Sequence, residues 1–132
     1  MKTNLDKLFK NDKGLEESGI WLKLSEETGF LVRRFGGYNS QKVKSALAKH
    51  YKPYARLVEN GTLDPIKEKE IMIKVFVESC LIDWKGVEID GVETPFSMEI
   101  AVKFFTALPE LSETIVNYAS DSKNYREDLG NF

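Results

Sequence analysis

The stretch 65–84 is apolar on nearly every side, and it constrains the fold more than any other part of the chain. Most of its apolar residues recur at spacings of three and four, the period of one helix face. These are Ile66, Ile73, Phe76, Val77, Cys80, Leu81 and Trp84. Ile71, Val75 and Ile82 fall on the opposite side. Because a helix that is apolar all round must be covered all round, the pattern predicts one central helix, 65–84, in a small core.

The length and composition are those of one folded domain. A chain of 132 residues can bury about two thirds of its unfolded surface without metals or disulfides. Its 42% apolar and 30% charged residues argue against disorder. Neither a membrane-spanning apolar run nor a secretory signal is present, so we expect a cytosolic protein. Cys80, the single cysteine, is expected to be a small core residue.

The chain divides into three predicted parts: a flexible arm at 1–18, one globular domain at 19–127 and a tail at 128–132. The domain begins with two short apolar runs, 20–24 and 30–35, which flank a turn that ends in glycine. This arrangement predicts a β-hairpin. Because two strands alone are marginally stable in water, the hairpin must pack on helices or pair with another chain.

Helix boundaries after the hairpin are marked by caps and prolines. Asn39 or Ser40 can cap a helix whose apolar face includes Tyr51, Tyr54 and Val58, with a break expected at Pro53. Further along the chain, Asp64 and Pro65 are expected to begin the central helix, and Asp90 and Gly91 are expected to form a type I′ turn. Ser97 is then expected to cap one helix, and Pro109 to open the last one. The predicted class is therefore mainly α (α+β), a small helical domain with an N-terminal β-hairpin packed on four to five helices.

Residue types needed for catalysis or metal binding are sparse. His50 is the only histidine, and we expect it to be a solvated or packed helix residue rather than a general base. The glycines Gly36 and Gly37 lack the spacing of a phosphate-binding loop. If Gly91 held the sixth position of a calcium loop, a glycine and a serine would stand where carboxylates are required. We therefore expect no enzymatic activity, no cofactor and no metal.

Charge is segregated along the chain. The window 33–56 has seven basic residues and no acid, which leaves 12 basic and 21 acidic residues elsewhere. The seven are Arg33, Arg34, Lys42, Lys44, Lys49, Lys52 and Arg56. Such a face could meet an anionic protein surface such as the acidic part of another copy, could bind nucleic acid with help from neighbouring aromatic rings, or could simply be solvated. The solvated face is the simplest of the three interpretations, and of the two partners we expect a protein rather than nucleic acid.

A series of short motifs between residues 19 and 126 resembles, in order and spacing, the tail assembly chaperones of long-tailed bacteriophages. The downstream motifs are Trp84-Lys85-Gly86-Val87, Asp90-Gly91, Thr94-Pro95-Phe96-Ser97, Leu108-Pro109-Glu110-Leu111, Ala119-Ser120-Asp121 and Tyr125-Arg126. The upstream motifs are Gly19-Ile20-Trp21, Val32-Arg33-Arg34, Asn39 and Lys52-Pro53.

This resemblance implies a small, mainly helical protein without enzymatic activity. Members of that family bind the long helical tape measure protein, keep it soluble while tail tube subunits polymerise around it, and are absent from the finished virion. It thus implies the tape measure protein as partner, the tail tube protein as a further one, and the host cytoplasm as location.

A protein that holds a helical client needs apolar surface to share with it. The candidate partner-binding residues are Ile71, Val75, Ile82, Trp84, Pro95 and Phe96. The same six residues could be ordinary core. An open edge of the predicted hairpin offers a route to a homo-oligomer. The alternative function is a small nucleic-acid-binding protein that uses the basic face between Arg33 and Arg56.

Overall fold

The computed structural model describes residues 2–126, and the predicted tail at 128–132 lies outside them. Helices and strands follow one another as α1 (Leu5–Phe9), α2 (Lys13–Ser18), β1 (Ile20–Lys23), β2 (Gly29–Val32), α3 (Ser40–Tyr51), α4 (Ala55–Glu59), α5 (Pro65–Cys80), β3 (Leu81–Lys85), β4 (Glu88–Ile89), β5 (Val92–Glu93), α6 (Met98–Ala107) and α7 (Pro109–Ser120). The longest helices are α3, α5, α6 and α7. The predicted class, mainly helical α+β with an N-terminal hairpin, is confirmed.

The hairpin belongs to a three-stranded antiparallel sheet with the order β1-β2-β3. β1 and β2 pair from Ile20 opposite Val32 to Lys23 opposite Gly29. On its other side β2 pairs with β3, which places Phe30 opposite Trp84. The sheet therefore supplies the third strand that the hairpin needs for stability.

A second, two-stranded sheet joins β4 to β5. Its turn holds Asp90 at a φ of 52° and Gly91 at a φ of 78°. Positive φ at both central residues defines the type I′ turn, as the sequence predicts.

The central helix is shorter than predicted, because α5 ends at Cys80 and the next five residues form β3. Leu81 and Trp84 are buried, and their spacing fits a helix face, but pairing with β2 holds them in a strand. The pattern of a short apolar run at the end of a helix fits a continued helix and a strand equally well. Ile66, predicted on the same buried face, lies in the first turn of α5 and is 71% exposed.

Two apolar clusters fill the domain. The larger lies between the sheet and the helices α5, α6 and α7 and is built on Phe30, Phe76, Phe105 and Ile115. The smaller lies between α3 and α5, where buried Ala46, Ile71 and Val75 are surrounded by half-buried side chains that include Val43, Leu47, Tyr51 and Tyr54. The predicted break at Pro53 is confirmed as a 3₁₀ turn, Lys52–Tyr54, between α3 and α4. Val58 is exposed, since the turn interrupts the helical period before it.

A buried polar group attaches α2 to the domain. Glu16 is fully buried and accepts hydrogen bonds from Arg34 Nη1 and from the backbone N–H of Tyr38, both at 2.8 Å. Gly37 sits at a φ of 52°, and a Cβ there would collide with the Glu16 carboxylate. The segment 13–18 therefore packs on the domain, whereas the sequence places it in a flexible arm. Asn39 does not cap α3 with its side chain, because its amide turns inward and donates to two backbone carbonyls.

Candidate partner-binding grooves

The six predicted partner-binding residues differ in how far a partner could reach them. Ile71, Val75 and Trp84 are at most 4% exposed, and the Trp84 indole N–H donates to the Thr94 carbonyl at 2.8 Å. Ile82 and Phe96 are half-buried, and Pro95 is exposed. A partner could touch the first three residues only if the domain opened, so core packing accounts for them in this structure. A binding role for the six stays a prediction.

A groove that the sequence analysis did not identify runs between α5 and α7, with a volume of about 290 Å³. We call it the α5–α7 groove. It is lined by Phe35, Lys69, Met72, Ile73, Phe76, Phe105, Pro109, Ser112, Glu113, Val116 and Asn117. Within α5, Lys69 and Met72 precede Phe76 at the helical spacing of three and four, and this stripe, which overlaps the predicted first face at Phe76, could have marked this surface. The residues from α6, α7 and the segment before α3 share no local pattern with that stripe.

Aromatic rings form the floor of this groove. Phe76 stacks on Phe105 with ring centres 6.0 Å apart, and Phe35 meets Phe76 edge to face at 5.3 Å. Phe76 and Phe105 belong to the main core and have almost no exposed surface. Because such rings are fixed by core packing, the groove exists before any partner arrives.

The groove walls are apolar near the floor and charged at the rim. Half-buried Met72 on α5 and Val116 on α7 face solvent in part. The Ser112 hydroxyl donates to the Pro109 carbonyl at 2.9 Å, so it does not require a partner from outside. Lys69 stands on the α5 side and Glu113 on the α7 side. A ligand for this groove must therefore be largely apolar, with polar groups at its margins.

A second groove, the α5–α6 groove, has a volume of about 370 Å³. Its lining residues are His50, Lys74, Val77, Glu78, Met98, Glu99, Val102 and Lys103. Val77, Met98 and Val102 supply its apolar surface, and four of its eight lining residues are charged. Lys103 pairs with Glu99 one helical turn away at 3.8 Å. A larger share of its lining residues is charged than in the α5–α7 groove, although the surface exposed inside it is mostly apolar, and none of those lining residues is a phenylalanine, tyrosine or tryptophan.

Glu78 connects α5 to the end of α3. It accepts from Lys49 Nζ at 2.5 Å and lies 3.1 Å from His50 Nε2. The hydrogen bond from Lys49, with smaller contributions from the charges of Lys49 and His50, lowers the pKa of the Glu78 carboxyl. His50 is thus a packed helix residue that meets a carboxylate.

The two residues after Glu78 do not add a nucleophile to this pair. The Ser79 hydroxyl is buried and donates to the Val75 carbonyl at 2.6 Å. Burial raises the pKa of the Cys80 thiol to about 11, so the thiol stays protonated at neutral pH. Within residues 2–126, no three or more His, Cys, Asp or Glu side chains come together in a way that could hold a metal ion.

The basic window does not form one uniform face. Arg34 pairs with buried Glu16, Arg33 Nε donates to the Glu17 carbonyl at 2.8 Å, and Lys49 pairs with Glu78. The other four predicted residues are exposed on α3, α4 and the turn between them: Lys42, Lys44, Lys52 and Arg56. An anionic partner would therefore meet a smaller charged surface than the seven residues suggest.

A family model described as YdaY prophage protein matches residues 38–129. The chain belongs to the YdaY prophage protein family. The family match spans α3 to α7, so it includes every lining residue of the α5–α7 groove except Phe35. The family match supports the phage origin that the resemblance implies. It does not extend to the role of a tail assembly chaperone. No curated protein and no solved structure matches the chain. Among the helices of residues 2–126 of this prophage protein, none combines the length and the hydropathy of a membrane span.

Proposed function

We propose that this prophage protein is a tail assembly chaperone that binds the tape measure protein of its phage and keeps it soluble while the tail tube forms. The observation that carries the proposal is the α5–α7 groove, a preformed apolar surface open to solvent. Membership of a prophage protein family and the resemblance over residues 19–126 support the same function.

The physical basis is the burial of a client's apolar stripe. A long helical protein without its assembly partners exposes apolar side chains and aggregates, and a groove that covers such side chains on one helix suppresses this. Binding of this kind is stoichiometric and needs no chemical step. The pair of His50 and Glu78 therefore has a structural role in the proposal. The protein would act in the host cytoplasm, possess no enzymatic activity, and be absent from the mature virion.

Co-expression with the long helical protein encoded in the same prophage tests this function. We expect the client to be soluble with this chain and insoluble without it, and the two to co-purify. Val116→Glu places a charge on the groove wall and should abolish co-purification, because a carboxylate cannot be buried without a partner. Thr114→Glu adds the same charge to an exposed position of α7 that is outside the groove lining and serves as the matched control. A client that stays soluble alone, or that never co-purifies, would refute the chaperone function.

The alternative function, nucleic-acid binding, retains support from the exposed cations Lys42, Lys44, Lys52 and Arg56 and from Tyr38, which is 52% exposed. Phosphate neutralisation by these side chains would make the affinity fall steeply with salt. Titration of a labelled single-stranded and a double-stranded oligonucleotide at two salt concentrations separates the functions. The chaperone proposal expects no binding at physiological salt.

A further inference from the structure

We infer that the α5–α7 groove accepts an amphipathic helix of the partner protein, with an acidic flank toward Lys69 on α5 and a basic flank toward Glu113 on α7. This inference rests on the proposed function and adds the chemical pattern of the segment that is bound. It also separates this groove from the α5–α6 groove.

The backbone around the groove favours a helical occupant over an extended one. Every lining residue except Phe35 lies in α5, α6 or α7, and the Phe35 N–H donates to the Ala119 carbonyl at 2.8 Å. None of the lining residues belongs to a strand, so the groove has no strand edge to pair with an extended peptide. Because a helix satisfies its own backbone hydrogen bonds, it can enter such a surface without losing them.

The size and lining of the groove determine which apolar residues the bound helix should carry. Its volume of about 290 Å³ is at the lower end of binding pockets, so it holds a few side chains from one helix face and not a second domain. Phe35, Phe76 and Phe105 form a fixed floor, whereas Met72 is flexible and can adapt to the side chains that enter. Leucine, methionine or phenylalanine at spacings of three and four would match this lining.

The charges at the rim set the polar part. Lys69 and Glu113 stand on opposite walls, and neither forms an ion pair with another residue in the range 2–126. Opposite charges on the two sides of a groove favour one orientation of a bound helix and disfavour the other. In the α5–α6 groove, by contrast, three of the four charged lining residues, Glu78, Glu99 and Lys103, are already paired within the protein.

Synthetic peptides test this pattern on the full chain. The probe is a helical peptide with leucines at positions i, i+4, i+7 and i+11, glutamates along one flank of that stripe and lysines along the other. A second peptide of the same composition distributes the leucines around the helix. Isothermal titration calorimetry should detect binding of the first peptide only. Val116→Glu should weaken that binding by at least about tenfold, and Thr114→Glu should leave it unchanged.

A double charge reversal, Lys69→Glu with Glu113→Lys, tests the orientation separately at exposed positions that do not endanger folding. It should weaken binding of the first peptide by a few fold, and a peptide with glutamates and lysines exchanged should restore the affinity. Equal binding of both leucine patterns, or binding of neither, would overturn the assignment of an amphipathic helix. An affinity that the charge reversal leaves unchanged would overturn the flank assignment. If the peptide binds but the prophage client never co-purifies, the chaperone function fails while the groove assignment stands. If the client co-purifies equally well with Val116→Glu, the chaperone function stands while the groove assignment fails.

Discussion

The two sides of α5 differ in how completely they are covered. On one side α3 packs closely, and Ile71 and Val75 are buried against Ala46. On the other side α7 makes few contacts with α5, and the α5–α7 groove remains open between them. Both sides are apolar in sequence, so apolarity alone does not distinguish a core from a binding surface.

Side-chain size explains part of this difference. The distance between packed helices depends on the residues at their contact, and a small residue such as Ala46 lets α3 approach α5 closely. On the other side, the rings of Phe76 and Phe105 occupy the base of the interface, and the proline that begins α7 stands at its margin. Under the proposed function, the α3 side contributes stability and the α7 side is the one available for binding. Substitutions on the two sides of α5 test this division.

The largest effect is expected for Trp84→Ala. Trp84 is 4% exposed, contacts the rings of Phe30, Phe96 and Phe104, and donates a hydrogen bond to Thr94. Its loss should lower the free energy of unfolding by about 3–5 kcal/mol, as measured by urea denaturation. An unchanged unfolding curve together with lost client binding would assign Trp84 to the interface and extend the open side to β3.

Ile71→Ala tests the closed side directly. Ile71 is 3% exposed between α3 and α5, so removing its side chain leaves a cavity that the helices cannot fully close. We expect a loss of about 2–5 kcal/mol in the free energy of unfolding. Binding of the leucine-stripe peptide should be unchanged at temperatures where the variant is folded. A loss of unfolding free energy smaller than about 2 kcal/mol would mean that the α3 side is less tightly packed than the structure indicates.

Met72→Ala is the matched variant for the open side, one residue further along α5. Met72 is half-buried in the groove wall, so we expect a loss of stability below about 2 kcal/mol, the lower bound for a buried methionine. Peptide affinity should fall, because the α5 wall of the groove loses its half-buried apolar side chain. If Met72→Ala costs as much stability as Ile71→Ala and leaves binding intact, the division between the two sides is wrong.

Local signals predicted many features of this fold correctly. The hairpin, the break at Pro53, the cap at Asp64 and the type I′ turn at Asp90 and Gly91 each depend on a few neighbouring residues. The end of α5 was not predicted, because Leu81 and Trp84 fit either pattern until β2 pairs with them.

The candidate site was harder to predict for the same reason. Phe35, Met72, Phe105 and Val116 come from separate elements, and only the packing of α5, α6 and α7 on one another brings them to one groove. The pair of Glu16 and Arg34 shows the same limit, since each residue in sequence is an ordinary surface charge.

The smallest effect is expected for Glu78→Gln, which removes the negative charge from the polar contact at the end of the closed side. The pKa of Glu78 is lowered in the folded protein, chiefly by the hydrogen bond from Lys49, so the ionised carboxylate stabilises the fold at pH values above its ordinary pKa of 4.5. That contribution should decline as the pH falls through the lowered pKa and vanish once Glu78 is protonated in both states. Because Lys49 is largely exposed, the loss at pH 7 should be at most about 1 kcal/mol and should shrink in high salt.

Melting temperatures of the wild type and of Glu78→Gln, measured between about pH 2 and pH 7, would show this dependence as two curves that converge in acid. Glu99→Gln, which removes an exposed carboxylate paired within α6, is the matched control and should shift the melting temperature less. Curves that stay parallel down to pH 2 would mean that the effect of Glu78→Gln is not ionic. The polar contacts of Glu78 with Lys49 and His50 would then not hold α3 against α5, and apolar packing around Ile71 and Val75 would account for the closed side alone.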